Sequence, residues 1–274
     1  MPDTRPIGIF DSGLGGLTVT RELIRILPHE NIVYFGDTDR VPYGTKSRET
    51  IFRFARQDER FLLSRDVKLI VAACGTVSSV AAETSNTLPV PFFEVVSHAV
   101  KAAVAASHTG RIGVIGTAAT IASGAHKRQI LALWPDARVF SASCTLFVPL
   151  VEAGWIDDDD PVVLETARKY LLPLKEAGID TLILGCTHYP ILTSVIRKVL
   201  GEDVTLINSG EATALAVRRE LESSGMLNNS PLPGSHHFCV SDITPSFPEI
   251  ARLLLGEEIG PEKIERVLVS EFPS

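Results

Sequence analysis

The chain has 274 residues, of which 45% are hydrophobic and 22% are charged. This composition excludes a disordered chain, and the length allows one large core or two smaller domains. The formal net charge of −7 argues against nucleic acid or an anionic membrane as the main partner, because both favour a basic surface. A small molecule is therefore the expected partner.

The expected cellular compartment follows from the absence of two sequence features, a membrane-spanning stretch and a secretory signal. No apolar stretch reaches the roughly 18 residues that a membrane span requires, and the N-terminus lacks the basic start and apolar segment of a secretory signal. We therefore expect a cytoplasmic protein. Cysteines in a reducing cytosol are free thiols or ligands, and the chain has four: Cys74, Cys144, Cys186 and Cys239.

Apolar strand segments alternate with helical segments along the chain. PIGIF precedes the helical pattern LTVTRELIRIL, NIVYF precedes a helical pattern over 48–65, and VKLIVAAC precedes SSVAAETSN. The rhythm restarts with RIGVIG, passes through ARVFSAS and closes on DTLILGC. A strand and a helix follow at 204–221, SHHFCVSD predicts a further strand, and PSFPEIARLLLG predicts a last helix. This alternation predicts an α/β fold with parallel strands joined by right-handed crossovers.

The two halves of the chain resemble each other faintly. Gly8 corresponds to Gly113, and Cys74 corresponds to Cys186 at a similar spacing. We therefore predict two similar parallel-sheet α/β domains, 1–99 plus 209–274 and 100–208. Ligands of open α/β sheets bind beyond the carboxyl ends of the strands, and both cysteines are predicted to lie there.

Two glycine-containing motifs invite a nucleotide-binding interpretation that their spacing does not support. DSGLGG at 11–16 lacks the G-x-G-x-x-G pattern, so a strand-to-helix turn with Asp11 or Ser12 capping the helix is expected. YGTKS at 43–47 has Thr45 between its glycine and its lysine, so it is not a P-loop and is expected to be an ordinary loop.

Other polar clusters have simple structural interpretations. DDDD at 157–160 precedes Pro161 and suits a helix N-terminus better than a metal site. HHFC at 236–239 has no partner cluster with metal-ligand spacing and is predicted to be a strand. Cys144 and Cys239 are interpreted as small buried apolar residues. We accordingly expect no metal and no cofactor. No sequence feature identifies a lysine that would form a Schiff base with pyridoxal phosphate.

Cys74 and Cys186 favour a catalytic interpretation because both follow apolar strands and precede hydroxyl or imidazole groups. Racemisation of an amino acid requires proton removal from one face of Cα and proton delivery to the other. Two thiols on facing halves suit this reaction, since one acts as a thiolate base while the other acts as a thiol acid.

The motifs IGIFDSGLGGLTV, YFGDTDRVPYGTKS, IGVIGTAATIASGA, LFVPLVEAG and DTLILGCTHYP together resemble those of the glutamate racemase family, over most of the chain. The resemblance implies a cofactor-independent enzyme that supplies D-glutamate for peptidoglycan. It implies two α/β domains with the active site in the cleft between them. It also implies a homodimer.

Residue roles implied by the resemblance fall into two groups. In the first group Cys74 serves D-glutamate, Cys186 serves L-glutamate, and three polar residues assist the thiols: Asp11, Glu152 and His188. The implied substrate-binding residues are Asp11, Ser12, Tyr43, Gly44, Gly75, Thr76, Thr187 and His188.

Gly75 departs from the family pattern, which has an asparagine there. We expect glutamate to remain the substrate, with backbone or water replacing the lost contact, and Gly75→Asn to change KM more than substrate choice. The alternatives are a racemase of aspartate or another amino acid and a non-catalytic amino-acid-binding protein. A related decarboxylase uses a single cysteine, so the presence of both Cys74 and Cys186 argues against that activity here.

Overall fold

The computed structural model describes residues 3–80 and 88–272. Its strands, in chain order, are β1 (Ile7–Asp11), β2 (Ile32–Gly36), β3 (Leu69–Ala72), β4 (Phe92–Glu94), β5 (Arg111–Gly116), β6 (Arg138–Ser143), β7 (Thr181–Leu184), β8 (Thr205–Asn208), β9 (His236–Val240) and β10 (Ile264–Arg266).

The α-helices of the described residues alternate with these strands. They are α1 (Leu17–Ile26), α2 (Arg48–Ser64), α3 (Gly75–Val80), α4 (Val95–Ala106), α5 (Ala118–Ser123), α6 (Ala125–Leu133), α7 (Phe147–Glu152), α8 (Pro161–Glu176), α9 (Thr193–Leu200), α10 (Ser209–Ser224) and α11 (Phe247–Leu255).

The strands form two parallel sheets, which confirms the predicted α/β class. The larger sheet has the order β10-β9-β2-β1-β3-β4, and the smaller has the order β6-β5-β7-β8. Within the larger sheet, β2-β1-β3-β4 repeats the order of the smaller sheet strand for strand. The faint sequence similarity between the halves therefore has a counterpart in topology.

The register places the two cysteines at equivalent points. Gly8 of β1 pairs with Ile70 of β3, and Gly113 of β5 pairs with Leu182 of β7. Each cysteine lies four residues beyond the partner of its glycine, Cys74 after β3 and Cys186 after β7. Both thiols thus follow the carboxyl ends of corresponding strands.

The central strands are buried along their whole length because helices cover both faces of a parallel sheet. This explains why their sequences are continuously apolar rather than alternating. The last two strands, β9 and β10, extend the larger sheet beside β2. C-terminal residues consequently belong to the same sheet as the N-terminal ones.

Several local predictions are confirmed. Asp160 caps α8 by accepting hydrogen bonds from the Val162 and Val163 amides, as expected for an acidic helix start. HHFC lies in β9. The segment 43–45 is a short 3₁₀ turn before α2. The helix predicted over 78–86 is described only as far as Val80, and its remainder lies outside the described residues.

The predicted cap of α1 is wrong. The helix begins at Leu17 with Gly16 at its N-cap and no side-chain cap hydrogen bond. The Asp11 carboxylate instead accepts a hydrogen bond from the Gly13 amide, 3.0 Å away, inside the turn. Too many residues separate Asp11 from the helix for it to occupy the cap position.

The described helices include none whose length and apolar character would allow it to cross a bilayer.

Candidate active site

A cavity of about 410 Å³ lies where the carboxyl ends of the two sheets face each other. Cys74 from the larger sheet and Cys186 from the smaller both line it. The other predicted site residues also line the cavity: Asp11, Ser12, Tyr43, Gly44, Gly75, Thr76, Glu152, Thr187 and His188. The structure therefore brings every predicted site residue to one place.

Cys74 lies beside the Ser12 hydroxyl and near the carboxyl group of Asp11. Its thiol donates a hydrogen bond to the Ser12 hydroxyl, 3.3 Å away. Burial, followed by the negative charge of Asp11, raises the pKa of Cys74 to about 12. Burial also raises the pKa of Asp11, although the nearby charge of His188 and amide hydrogen bonds oppose it. These surroundings favour a protonated Cys74 near neutral pH.

Cys186 has a different neighbour, the imidazole of His188. The His188 Nδ1 atom lies 3.9 Å from the Cys186 sulfur, and Nε2 lies 3.2 Å from Glu152 Oε1. Burial alone would lower the pKa of His188, but hydrogen bonds to Cys186 and Glu152 raise it to about 10. His188 is thus a buried imidazolium that can stabilise a thiolate on Cys186.

The two thiols consequently have opposite electrostatic environments within one cavity. Cys74 lies beside Ser12, and Cys186 lies beside His188 on the facing half. A two-base proton transfer requires one thiol acid and one thiolate base in such a facing pair. The cavity is closed in part by contacts between the halves. Thr76 Oγ1 lies 3.2 Å from Thr117 Oγ1, and the Thr18 hydroxyl donates to the Thr187 carbonyl at 2.7 Å.

Tyr43 lines the cavity but does not offer its hydroxyl to it. That hydroxyl donates to the buried carboxylate of Asp37 and contacts Asp58. Neither carboxylate lines the cavity. Tyr43 therefore contributes its ring and backbone, and the side chain anchors the segment that carries Gly44.

Gly75 also lines the cavity, at a close approach between the halves. A Cβ atom at this position would lie 2.4 Å from the carbonyl oxygen of Gly185. Gly15 has a similar constraint, since a Cβ there would lie 2.2 Å from Thr187 Oγ1. Both glycines permit contacts between the halves that a side chain would block.

Sequence reasoning did not identify several residues of the cavity wall. These include Thr117, Cys144, Thr145, Val148 and Pro149. Thr117 was recognisable in principle, because it follows β5 as Ser12 follows β1, so the internal repeat predicts it. Cys144 is fully buried as expected, although it also borders the cavity.

The acidic segment 157–160 has the surroundings of a solvated helix start and not those of a metal site. Within residues 3–80 and 88–272, the one group with converging ligand atoms comprises Asp157, Asp158 and Asp159. Asp158 and Asp159 bind Lys198 in ion pairs, and Asp159 is almost fully exposed. These carboxylates precede the N-cap of α8, and none of them lines the cavity that contains the thiols.

Two thiols at equivalent strand ends of a duplicated α/β fold define a class of acid–base isomerases. Residues 7–217 match the family described as Asp/Glu/Hydantoin racemase. The chain belongs to this family.

Its relatives at high identity carry a narrower name. The chain is 47% identical over 266 residues to the glutamate racemase of Syntrophus aciditrophicus, covering 96% of this chain and 98% of that protein. The glutamate racemase of Francisella tularensis in complex with D-glutamate superposes with a TM-score of 0.91 at 38% identity, covering 98% of this chain and 100% of that one. The Thermus thermophilus glutamate racemase, in complex with beta-chloro-D-alanine, gives a TM-score of 0.87 at 43% identity, covering 99% of this chain and 100% of that one.

Proposed function

We propose that this chain is a cofactor-independent glutamate racemase that interconverts L- and D-glutamate with Cys186 and Cys74. The single observation that carries the proposal is the pair of cysteines at corresponding strand ends of the two sheets, lining one cavity. The names and coverage of the relatives support glutamate as the substrate. D-Glutamate production in turn suggests a role in peptidoglycan synthesis.

The reaction proceeds through proton transfer at Cα. With L-glutamate, the Cys186 thiolate removes the Cα proton, and the electron pair delocalises into the substrate carboxylate. The Cys74 thiol then donates its proton to the opposite face, which gives D-glutamate, a Cys74 thiolate and a Cys186 thiol. The reverse reaction exchanges these roles.

The remaining site residues support the two thiols and hold the substrate. His188, oriented by Glu152, stabilises the thiolate on Cys186, while Asp11 and Ser12 adjoin Cys74. Backbone and hydroxyl groups of Gly44, Thr76 and Thr187 are available to the substrate's charged ends. Gly75 contributes backbone alone. Tyr43 holds the Gly44 segment in place.

The wider organisation of the protein is also a proposal. The domains comprise 1–99 plus 209–274, which carry Asp11 and Cys74, and 100–208, which carry Glu152 and Cys186. We propose that the protein is cytoplasmic, which the free state of all four cysteines supports. We also propose that it is a homodimer, which the family resemblance supports. Light scattering of the purified protein measures the subunit number.

Circular dichroism of L-glutamate incubated with the purified protein tests the activity. We expect the signal to decay to zero as the racemic mixture forms, and L-aspartate in a parallel sample to change far more slowly. A faster loss of the L-aspartate signal would assign the enzyme to aspartate. An unchanged signal with both, together with bound glutamate, would indicate a binding protein.

A further inference from the structure

A buried polar cluster lies behind the cavity wall formed by the Tyr43–Thr45 turn. We call it the anchor cluster and define it by four residues: Asp37 after β2, Arg40 and Tyr43 in the following loop, and Asp58 in α2. Asp37 and Asp58 are both completely buried. None of the proposed acid–base steps uses these carboxylates.

Asp37 has the surroundings of an ionised carboxylate. Its Oδ2 atom accepts hydrogen bonds from Arg40 Nε and from the Tyr43 hydroxyl. Its Oδ1 atom accepts a hydrogen bond from the Ser241 hydroxyl at 2.9 Å. Three donors converge on this carboxylate, and one of them is a guanidinium, so the negative charge belongs on Asp37.

The hydrogen bonds of Tyr43 then determine the state of Asp58. A phenol has one hydrogen, and Tyr43 donates it to Asp37. Tyr43 Oη is nevertheless 3.1 Å from Asp58 Oδ2, a hydrogen-bond distance that needs a second hydrogen between the two oxygens. Asp58 Oδ1 accepts from Arg40 Nη2 at 3.0 Å, which leaves Oδ2 as the oxygen that carries the proton.

Charge balance leads to the same conclusion. Arg40 and an ionised Asp37 neutralise each other, so a second ionised carboxylate would leave a net negative charge buried beside them. Burial, followed by the charge of Asp37, raises the pKa of Asp58 well above its usual range. Burial, together with the negative charge of Asp37, raises the pKa of Tyr43 well above its usual range, which keeps the phenol protonated.

We propose that Asp58 is a positioning residue held as a neutral carboxylic acid, donating to Tyr43, which donates to Asp37. This directed chain of hydrogen bonds fixes the Tyr43–Thr45 turn and presents Gly44 to the substrate cavity. The positioning role rests on the proposed racemase function, whereas the location of the proton does not.

Paired substitutions test the direction of the chain. An asparagine amide at position 58 donates to Tyr43 and accepts from Arg40, as the neutral acid does, so Asp58→Asn should keep KM for L-glutamate within about twofold of wild type. Asp58→Ala and Asp37→Asn should each raise KM about tenfold or more, with a smaller change in kcat, because the turn loses a charged or buried hydrogen bond.

The exposed Asp136 provides a matched control, because Asp136→Asn removes a carboxylate without touching the cluster. If Asp37→Asn keeps a wild-type KM while Asp58→Asn loses it, the proton resides on Asp37 and the proposal is wrong. Failure of Asp58→Asn to fold would also contradict it, since the amide matches the neutral acid in shape.

Infrared spectroscopy measures the proton without reference to activity. The wild-type minus Asp58→Asn spectrum at neutral pH should contain a carboxylic acid C=O band, and the wild-type minus Asp136→Asn spectrum should contain only carboxylate bands. A carboxylate band in the first spectrum would overturn the proposal. An enzyme that racemises no glutamate but retains the acid band would refute the proposed function and leave the proton assignment standing.

Discussion

At the scale of single residues, Gly75 shows how the structure changes an interpretation based on sequence. The absent asparagine suggested a lost substrate contact that backbone or water replaces. The position is also one where a Cβ would lie 2.4 Å from the Gly185 carbonyl oxygen, and backbone cannot yield as a flexible side chain does. Gly75 therefore sets how closely the Cys74 and Cys186 segments approach.

We accordingly expect any side chain at position 75 to alter catalysis as well as binding. Gly75→Ala and Gly75→Asn should both lower kcat by about tenfold or more, because displacement of the thiols from productive geometry is costly. Steady-state kinetics with L-glutamate measure the effect, with the melting temperature as a check on folding. A Gly75→Asn enzyme with wild-type kcat and a changed KM would restore the simpler, contact-based interpretation.

His188 provides a pH-dependent test at the same scale. Its pKa rises from an ordinary 6.5 to about 10 in the folded protein. The imidazolium therefore stabilises the fold fully below about pH 6.5, and this contribution is lost as the pH rises through about 10. The free energy of unfolding of wild type relative to His188→Gln should decline over that interval.

Urea unfolding of both proteins across this pH range measures the decline. The matched control is Glu152→Gln, which removes one of the two groups that raise the His188 pKa and should shift the decline to lower pH. A wild-type advantage that does not vary with pH would show that His188 is not charged through interactions of the folded state.

At the scale of elements, most strands and helices were predictable from the sequence. Fully buried parallel strands appear as continuous apolar runs, and β1, β3, β5 and β7 were all located in this way. Short elements were missed. Three-residue strands such as β4 and β10 carry too few residues for a pattern, and their strand geometry depends on pairing with neighbours in the sheet.

The connection before β5 shows how one side chain organises an element boundary. Asp180, just before β7, accepts hydrogen bonds from the Ser107 hydroxyl and from the backbone amides of His108 and Thr109. The Thr109 hydroxyl donates to the same carboxylate. Burial opposes ionisation, but these donors prevail and hold the pKa of Asp180 well below its usual range.

We expect Asp180→Ala to lower the free energy of unfolding by about 1–3 kcal/mol, because several donors lose their acceptor. The contribution is present at neutral pH and is lost as the pH falls below about 3.8, the ordinary aspartate value. Asp136→Asn should change stability by less than about 0.5 kcal/mol. Equal denaturation midpoints for Asp180→Ala and wild type would contradict this account of the connection.

At the scale of the whole molecule, the matching order of β2-β1-β3-β4 and β6-β5-β7-β8 explains the site. Two similar units facing each other at their carboxyl ends deliver one cysteine each to a shared cavity. The position of the thiols at strand ends was predictable, because the apolar runs stop at Cys74 and Cys186.

Other aspects of the site were not predictable from local sequence. The network of Asp37, Tyr43 and Asp58 depends on tertiary contacts between β2, its following loop and α2. The roles of His188 and Glu152 were implied by family resemblance alone, and their contact joins α7 to the segment after β7. Chain segments distant in sequence leave no periodic pattern that would reveal such contacts.

The central claim is that two different thiols act on opposite faces of Cα. The most direct measurement is the deuterium content of D-glutamate formed from L-glutamate in deuterated water at low conversion. Two thiols predict nearly complete solvent deuterium at Cα of the product, because the donated hydrogen comes from Cys74 and not from the substrate. Cys74→Ser and Cys186→Ser enzymes should form D-glutamate slower by several orders of magnitude. Product that retains the original hydrogen would instead demonstrate a single base that carries it across, and would contradict the account.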